Sequence, residues 1–211
     1  MQKKQLLLVI THYKENTILV NTLNSNKRIQ NVNFQIYKNI NNIFSLDTVR
    51  SDYRKNPHIY MDSLYYNHQF SFAPLLNFCK FIYLVNKPRS IMPGLIERKV
   101  YSPESCLNYY CFRLRKIYEM IRKTPQQNFK VFFDEELILP ETYKKIQEFL
   151  DLKEEFNIKK ENSVANFKVS NTILEKAEEC YEKYRFKIKA SEYHGLPRVL
   201  PQEPLTQPLI E

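Results

Sequence analysis

The sequence predicts an α/β layer fold with a mainly parallel central sheet, and three observations carry that expectation. Apolar runs too short to be helices recur along the chain; each is followed by a helical pattern; and runs such as Leu6–Ile10 lack the polar alternation of a half-exposed strand. Strands that read as unbroken apolar stretches are buried on both faces, which happens when helices cover a parallel sheet.

The elements follow in order. "LLLVI", 6 to 10, is the first buried strand, and a helix is expected from about Thr17 to Asn26. "NVNFQIY", 31 to 37, alternates Val32, Phe34 and Ile36, the pattern of a half-exposed strand. "FCKFIYLV", 78 to 85, is a second apolar run, stopped by Pro88, and "FKVFFDEEL", 129 to 137, is a third. Between them, "CLNYYCFRLRKIYEMIRK" places Leu107, Tyr110, Cys111, Leu114, Ile117, Tyr118 and Ile121 on one helical face, with Ser102 and Pro103 as cap and first turn. Arg113 and Arg115 then fall on its solvated side. "LPETYKKIQEFLDL" gives one face to Tyr143, Ile146, Phe149 and Leu150. "NTILEKAEECYEKY" does so with Ile173, Ala177, Cys180, Tyr181 and Tyr184, and Thr172 to Glu175 reads as its capping box. Residues 1–190 are expected to form one domain, and 191–211 a proline-rich tail.

Composition narrows the function. Lys and Arg number 32 against 23 Asp and Glu, and residues 80 to 130 hold 11 basic and 3 acidic side chains, so nearly all of the +9 charge lies there. That field suits an anionic ligand. The aromatics among these basic residues follow helical spacing, which assigns them to the core before a nucleic-acid surface. Cys79, Cys106, Cys111 and Cys180 show neither a C-x-x-C pair nor zinc-like spacing with histidine, and read as reduced thiols of a cytoplasmic protein. No apolar stretch is long enough for a membrane span.

In a parallel α/β sheet the ligand belongs at the carboxyl ends of the strands. Two runs end there in basic corners, "THYKENT" and "NKPRS". The first lacks the G-x-x-x-x-G-K-[ST] pattern that wraps a triphosphate, and glycine is scarce throughout, with only Gly94 and Gly195. Asparagine tolerates a left-handed backbone, so Asn16 can hold such a turn.

The order of strand, lysine-containing turn, helix, "KFIYLVNKPR" and "FKVFFDEELILPETYKKIQEFLDL" resembles the sulfotransferase family over roughly residues 5 to 186. The resemblance implies a P-loop-like three-layer sandwich, transfer of a sulfuryl group from 3′-phosphoadenosine 5′-phosphosulfate, and adenosine 3′,5′-bisphosphate as product, without a metal. The family's Pro-Lys-Ser-Gly-Thr-like loop, which holds the 5′-phosphosulfate, matches Tyr13, Lys14, Glu15, Asn16 and Thr17. Its 3′-phosphate element matches Lys80 to Gly94; Asn86 stands at the family's arginine and Gly94 at its serine, with Lys87 and Arg89 close by. Its Tyr-Glu-Asp-Leu and Phe-Leu-Gly-Leu elements match Asp134 to Leu137 and Phe149 to Leu152, and the acidic pair Glu135 and Glu136 then orients basic neighbours.

The roles expected from that likeness are Lys14 at the leaving oxygen and His68 as the base that takes the acceptor's proton, with His12 as the second choice. The acceptor is a small molecule, glycan or peptide bound by segments from about 41 to 70 and 93 to 106; oligomeric state is left open. A second reading keeps the fold as a binding or scaffold protein without catalysis.

Overall fold

The structure, a computed structural model of the chain, describes residues 5–12, 17–32, 59–64, 79–97, 102–158 and 169–194. Strands β1 (Gln5–Ile10), β2 (Ile29–Asn31), β3 (Ile59–Leu64), β4 (Lys80–Val85) and β5 (Phe129–Phe133) form one sheet in the order β2-β3-β1-β4-β5, every neighbouring pair parallel. The α/β fold with helices on both faces is therefore as expected. β1 lies at the centre, pairing Gln5 with Ile59 through Ile10 with Leu64 on one side, and Leu7 with Lys80 through Ile10 with Tyr83 on the other.

The continuous apolar runs are explained by the two layers of helix. Leu7, Val9, Ile82 and Leu84 point to one face, where α1 (Thr17–Ser25) brings Leu19 and Leu23, and α4 (Pro140–Leu150) brings Tyr143, Ile146 and Leu150. Leu8, Ile10, Phe81, Tyr83 and Val85 point to the other, packed by α2 (Pro88–Glu97), α3 (Pro103–Lys123) and α5 (Asn171–His194). Each such buried aliphatic or aromatic side chain is worth about 1.5–3 kcal/mol relative to exposure.

Local signals set most boundaries. Ser102 caps α3, its Oγ accepting from the Ser105 amide at 3.2 Å, with Pro103 in the first turn. α4 ends at Asp151, whose φ of 55° and ψ of 46° are left-handed. Asp151 stands where the family pattern has glycine, the residue that reaches this conformation without steric cost. α5 departs from expectation at its start: the cap is Ser170, whose Oγ accepts from the Ile173 amide at 3.4 Å, so Thr172 sits inside the first turn. α5 continues to His194, four residues into the expected tail.

The larger departures concern strands. Ile59–Leu64 was expected within an acceptor loop and is instead a central strand, hydrogen-bonded on both edges and carrying the fully buried Asp62. Polar Asp62 and Ser63 interrupt its apolar pattern, which is why periodicity misses it. The edge strand β2 ends at Asn31, upstream of the expected centre, although the Val32 amide still bonds the Met61 carbonyl at 2.9 Å. Positions 33–37 lie outside the described residues. The other expected acceptor segment, 93 to 106, includes the end of α2 and the start of α3.

Candidate active site

From β1 the chain passes through α1 to β2 and β3 on one side, while β4 leads to β5 on the other. The carboxyl ends of β1 and β4 therefore flank a topological switch point, where open parallel sheets leave a crevice for ligands. α1 begins at Thr17, directly after the first basic corner, and the amides of its first turn have no partner within the helix. Tyr13, Lys14, Glu15, Asn16 and His68 lie outside the described residues, as does the side chain of Thr17.

The floor of this edge is polar and fully buried. His12 follows β1, Asn86 follows β4, and both are 0% exposed. The Asn86 amide N–H donates to His12 Nδ1 at 3.3 Å; the Tyr109 hydroxyl donates to the His12 carbonyl at 3.1 Å; and the Tyr110 hydroxyl donates to the Asn86 carbonyl at 2.7 Å. Tyr110 also stacks on the imidazole, with centroids 5.1 Å apart. Burial, with the nearby Arg113 guanidinium acting in the same direction, lowers the His12 pKa to about 3, against the opposing pull of the Asn86 side chain and the Leu84 carbonyl. The ring is thus neutral at pH 7, and because Nδ1 accepts, its proton resides on Nε2. His12 cannot be the base that its sequence position offered; it ties the ends of β1 and β4 together and presents an N–H. Among the described residues, none supplies a well-formed hydrogen bond to His12 Nε2 or to either atom of the Asn86 side-chain amide. Unpaired polar atoms at such depth are costly and uncommon, and each calls for a physical explanation such as a bound water, ion or ligand.

Arg113 is also 0% exposed, contrary to the solvated position expected for it. Its Nε and Nη2 donate to the Thr11 carbonyl at 2.9 and 2.6 Å, and Nη2 donates to the Leu64 carbonyl at 2.7 Å. The fork clamps the carboxyl ends of β1 and β3. Burial brings its pKa down to about 10, so it remains charged at neutral pH and places a positive charge beneath the crevice. Its neighbour Arg115 behaves as expected, half-exposed and paired with Glu119 at 2.9 Å.

The second basic corner is lined with carboxylates. Lys87 donates its backbone N–H to Asp134 Oδ2 at 2.9 Å, and its Nζ lies 3.8 Å from Glu135. Glu135 also meets Arg185 at 3.3 Å and the Tyr181 hydroxyl at 3.4 Å. Burial pushes Glu135 upward, yet its hydrogen bond with Asp134 and the charges of Lys87 and Arg185 leave its pKa below the usual value; Asp134 is raised by burial and by the same shared hydrogen bond. Glu135 thus orients basic neighbours as expected, whereas Glu136 caps the chain locally, accepting from the Phe133 amide at 2.7 Å. Arg89, with its side chain 75% exposed, pairs with Glu178 of α5 at 2.6 Å. Gly94 lies half-buried inside α2, six residues beyond Pro88, and brings no side-chain donor.

Of the residues singled out from sequence, the fold brings Asn86, Lys87 and Arg89 to the carboxyl edge. It adds Arg113, Tyr109 and Tyr110, which α3 projects beneath that edge. Their signal was spacing: Cys106, Tyr110, Arg113, Leu114 and Ile117 occupy one helical face, so Arg113 is core by position although polar by type.

No family model matches the chain, and no curated protein matches it in sequence. Among solved structures it is similar to a sulfotransferase from Alicyclobacillus acidocaldarius, with a TM-score of 0.61 and 10% identity over 93% of this chain and 98% of that one. The likeness is one of fold: a distant sulfotransferase-like α/β sandwich. Among the described residues, no helix is long and apolar enough to cross a membrane.

Proposed function

We propose that this protein is a sulfotransferase that moves a sulfuryl group from 3′-phosphoadenosine 5′-phosphosulfate to a hydroxyl or amine of a small-molecule, glycan or peptide acceptor. The observation that carries this reading is the Asn86 side chain, fully buried and lacking a well-formed hydrogen bond at the position where the resembling family holds the donor's 3′-phosphate. An amide N–H there fits a phosphate oxygen, with Lys87 and Arg89 adjacent in the chain. Both cations already face carboxylates, so a 3′-phosphate competes with Glu135 and Glu178 for them.

The remaining roles follow from sequence position. The first-turn amides of α1 and the Thr17 hydroxyl would receive the 5′-phosphosulfate, with Tyr13, Glu15 and Asn16 forming the turn. Lys14 would neutralise charge at the leaving oxygen, and His68 would take the acceptor's proton. The bound donor supplies the sulfuryl group and its phosphate leaving group. Buried, charged Arg113 contributes a fixed field beneath both corners.

Adenosine 3′,5′-bisphosphate tests the reading directly. At 100 times its dissociation constant it should stabilise the protein by about 2.7 kcal/mol, measured as a rise in melting temperature. No shift at millimolar ligand overturns the assignment. With donor and an accepted substrate, Lys14→Ala and His68→Ala should each abolish the sulfated product while leaving the melting temperature of the free protein unchanged.

A further inference from the structure

Two of the four cysteines take no part in that chemistry, and they meet. Cys79 and Cys106 are buried, whereas Cys111 on α3 and Cys180 on α5 are both partly exposed. Both line one groove at the seam where the two helices pack, close enough for each thiol to perturb the other's titration. They line an open groove of about 480 Å³ together with Arg115, Lys176 and Lys183, opposed by Glu179. Arg115 is held by Glu119, so Lys176 and Lys183 against Glu179 leave the groove a modest positive field that favours anionic molecules. The hydrogen bond from Cys111 and the charge of Lys183 favour the thiolate at Cys180 against the effect of burial, while the same hydrogen bond and burial hold Cys111 protonated. One activated thiol beside one protonated thiol is the arrangement of an attacking and a resolving pair.

We propose that Cys111 and Cys180 form a redox-active dithiol that an anionic small-molecule disulfide, of the glutathione class, oxidises to a disulfide joining α3 to α5. The Cys180 thiolate attacks one sulfur of the small disulfide, forming a mixed disulfide and releasing one small thiolate. Cys111 then loses its proton and attacks Cys180 Sγ, releasing the second small thiol. Two protein thiols are oxidised and one disulfide is reduced to two thiols, so the exchange balances.

The bond would fix the two helices that brace the candidate active site. Within two positions of Cys111 stand Tyr110 and Arg113, which hold the ends of β1, β3 and β4; within two of Cys180 stand Glu178 and Tyr181, which hold Arg89 and Glu135.

The reduced full-length protein treated with oxidised glutathione, followed by intact mass and peptide mapping under non-reducing conditions, tests the assignment. The expected product is lighter by two hydrogens, retains two of its four thiols, carries a Cys111–Cys180 cross-linked peptide, and reverts with dithiothreitol. Its formation should outpace modification of Cys79 or Cys106 by about tenfold or more, given their deeper burial. Cys111→Ser should instead accumulate a glutathione adduct on Cys180. Four unmodified thiols, a stable adduct without cross-link in the unsubstituted protein, or a cross-link through Cys79 or Cys106 would each overturn the proposal.

Discussion

His12 carries no charge at neutral pH, and its burial makes protonation in the folded state expensive. With a folded pKa near 3 and an ordinary value of 6.5, the unfolded chain binds a proton across that interval while the native protein does not. Stability therefore rises with pH through this window and is lost as pH falls. Between pH 7 and pH 5 this one residue should remove about 2 kcal/mol. Urea unfolding at both pH values checks it: His12→Gln should lose about that much less on acidification than the unsubstituted protein, and an identical loss in both would show that the imidazole titrates normally. Arg113 illustrates how a residue can be read by type when position decides. Its helical register with Tyr110 and Ile117 was plain in the sequence, but only the carbonyl ends of β1 and β3 explain why a guanidinium is stable there. The unpartnered atoms of His12 and Asn86 had no local signal, because they depend on two strand ends 74 positions apart meeting side by side.

Helices were legible where sequence chemistry acts within a turn or two. Ser102 with Pro103 announced α3, and apolar spacing gave the buried faces of α3, α4 and α5. The Thr172 cap failed because Ser170, two residues earlier, competes for the same role with the same chemistry, and the hydrogen bond to the Ile173 amide decides between them. Asp151 provides an element-scale test of the end of α4. A side chain held at positive φ costs energy that glycine avoids, so Asp151→Gly should stabilise the protein by about 0.5–1 kcal/mol in denaturant unfolding. A loss of stability would mean that the carboxylate makes a compensating interaction. β3 was the element least legible: a strand paired on both sides can tolerate Asp62 and Ser63, since its neighbours rather than its own pattern hold it.

At the scale of the molecule, the second basic corner is held by elements distant in the chain, for Arg89 on α2 answers to Glu178 on α5. If the donor's 3′-phosphate takes over that guanidinium, Glu178→Gln should tighten binding of adenosine 3′,5′-bisphosphate about threefold to tenfold by removing the competing carboxylate. Isothermal titration calorimetry on both proteins measures the change, and an unchanged affinity would place Arg89 outside the phosphate contacts. Local pattern alone established the layered α/β class, the central strands β1 and β4 and the main helices. Those features follow from local periodicity and from burial on two faces, which a single chain displays residue by residue. The tertiary structure alone decided that β3 lies beside β1, that Arg113 clamps their ends, that His12 is a neutral donor, and that Lys87 and Arg89 face carboxylates. Each depends on groups far apart in sequence sharing a small, water-poor volume, where contact and desolvation, not pattern, set the charge and the bonding.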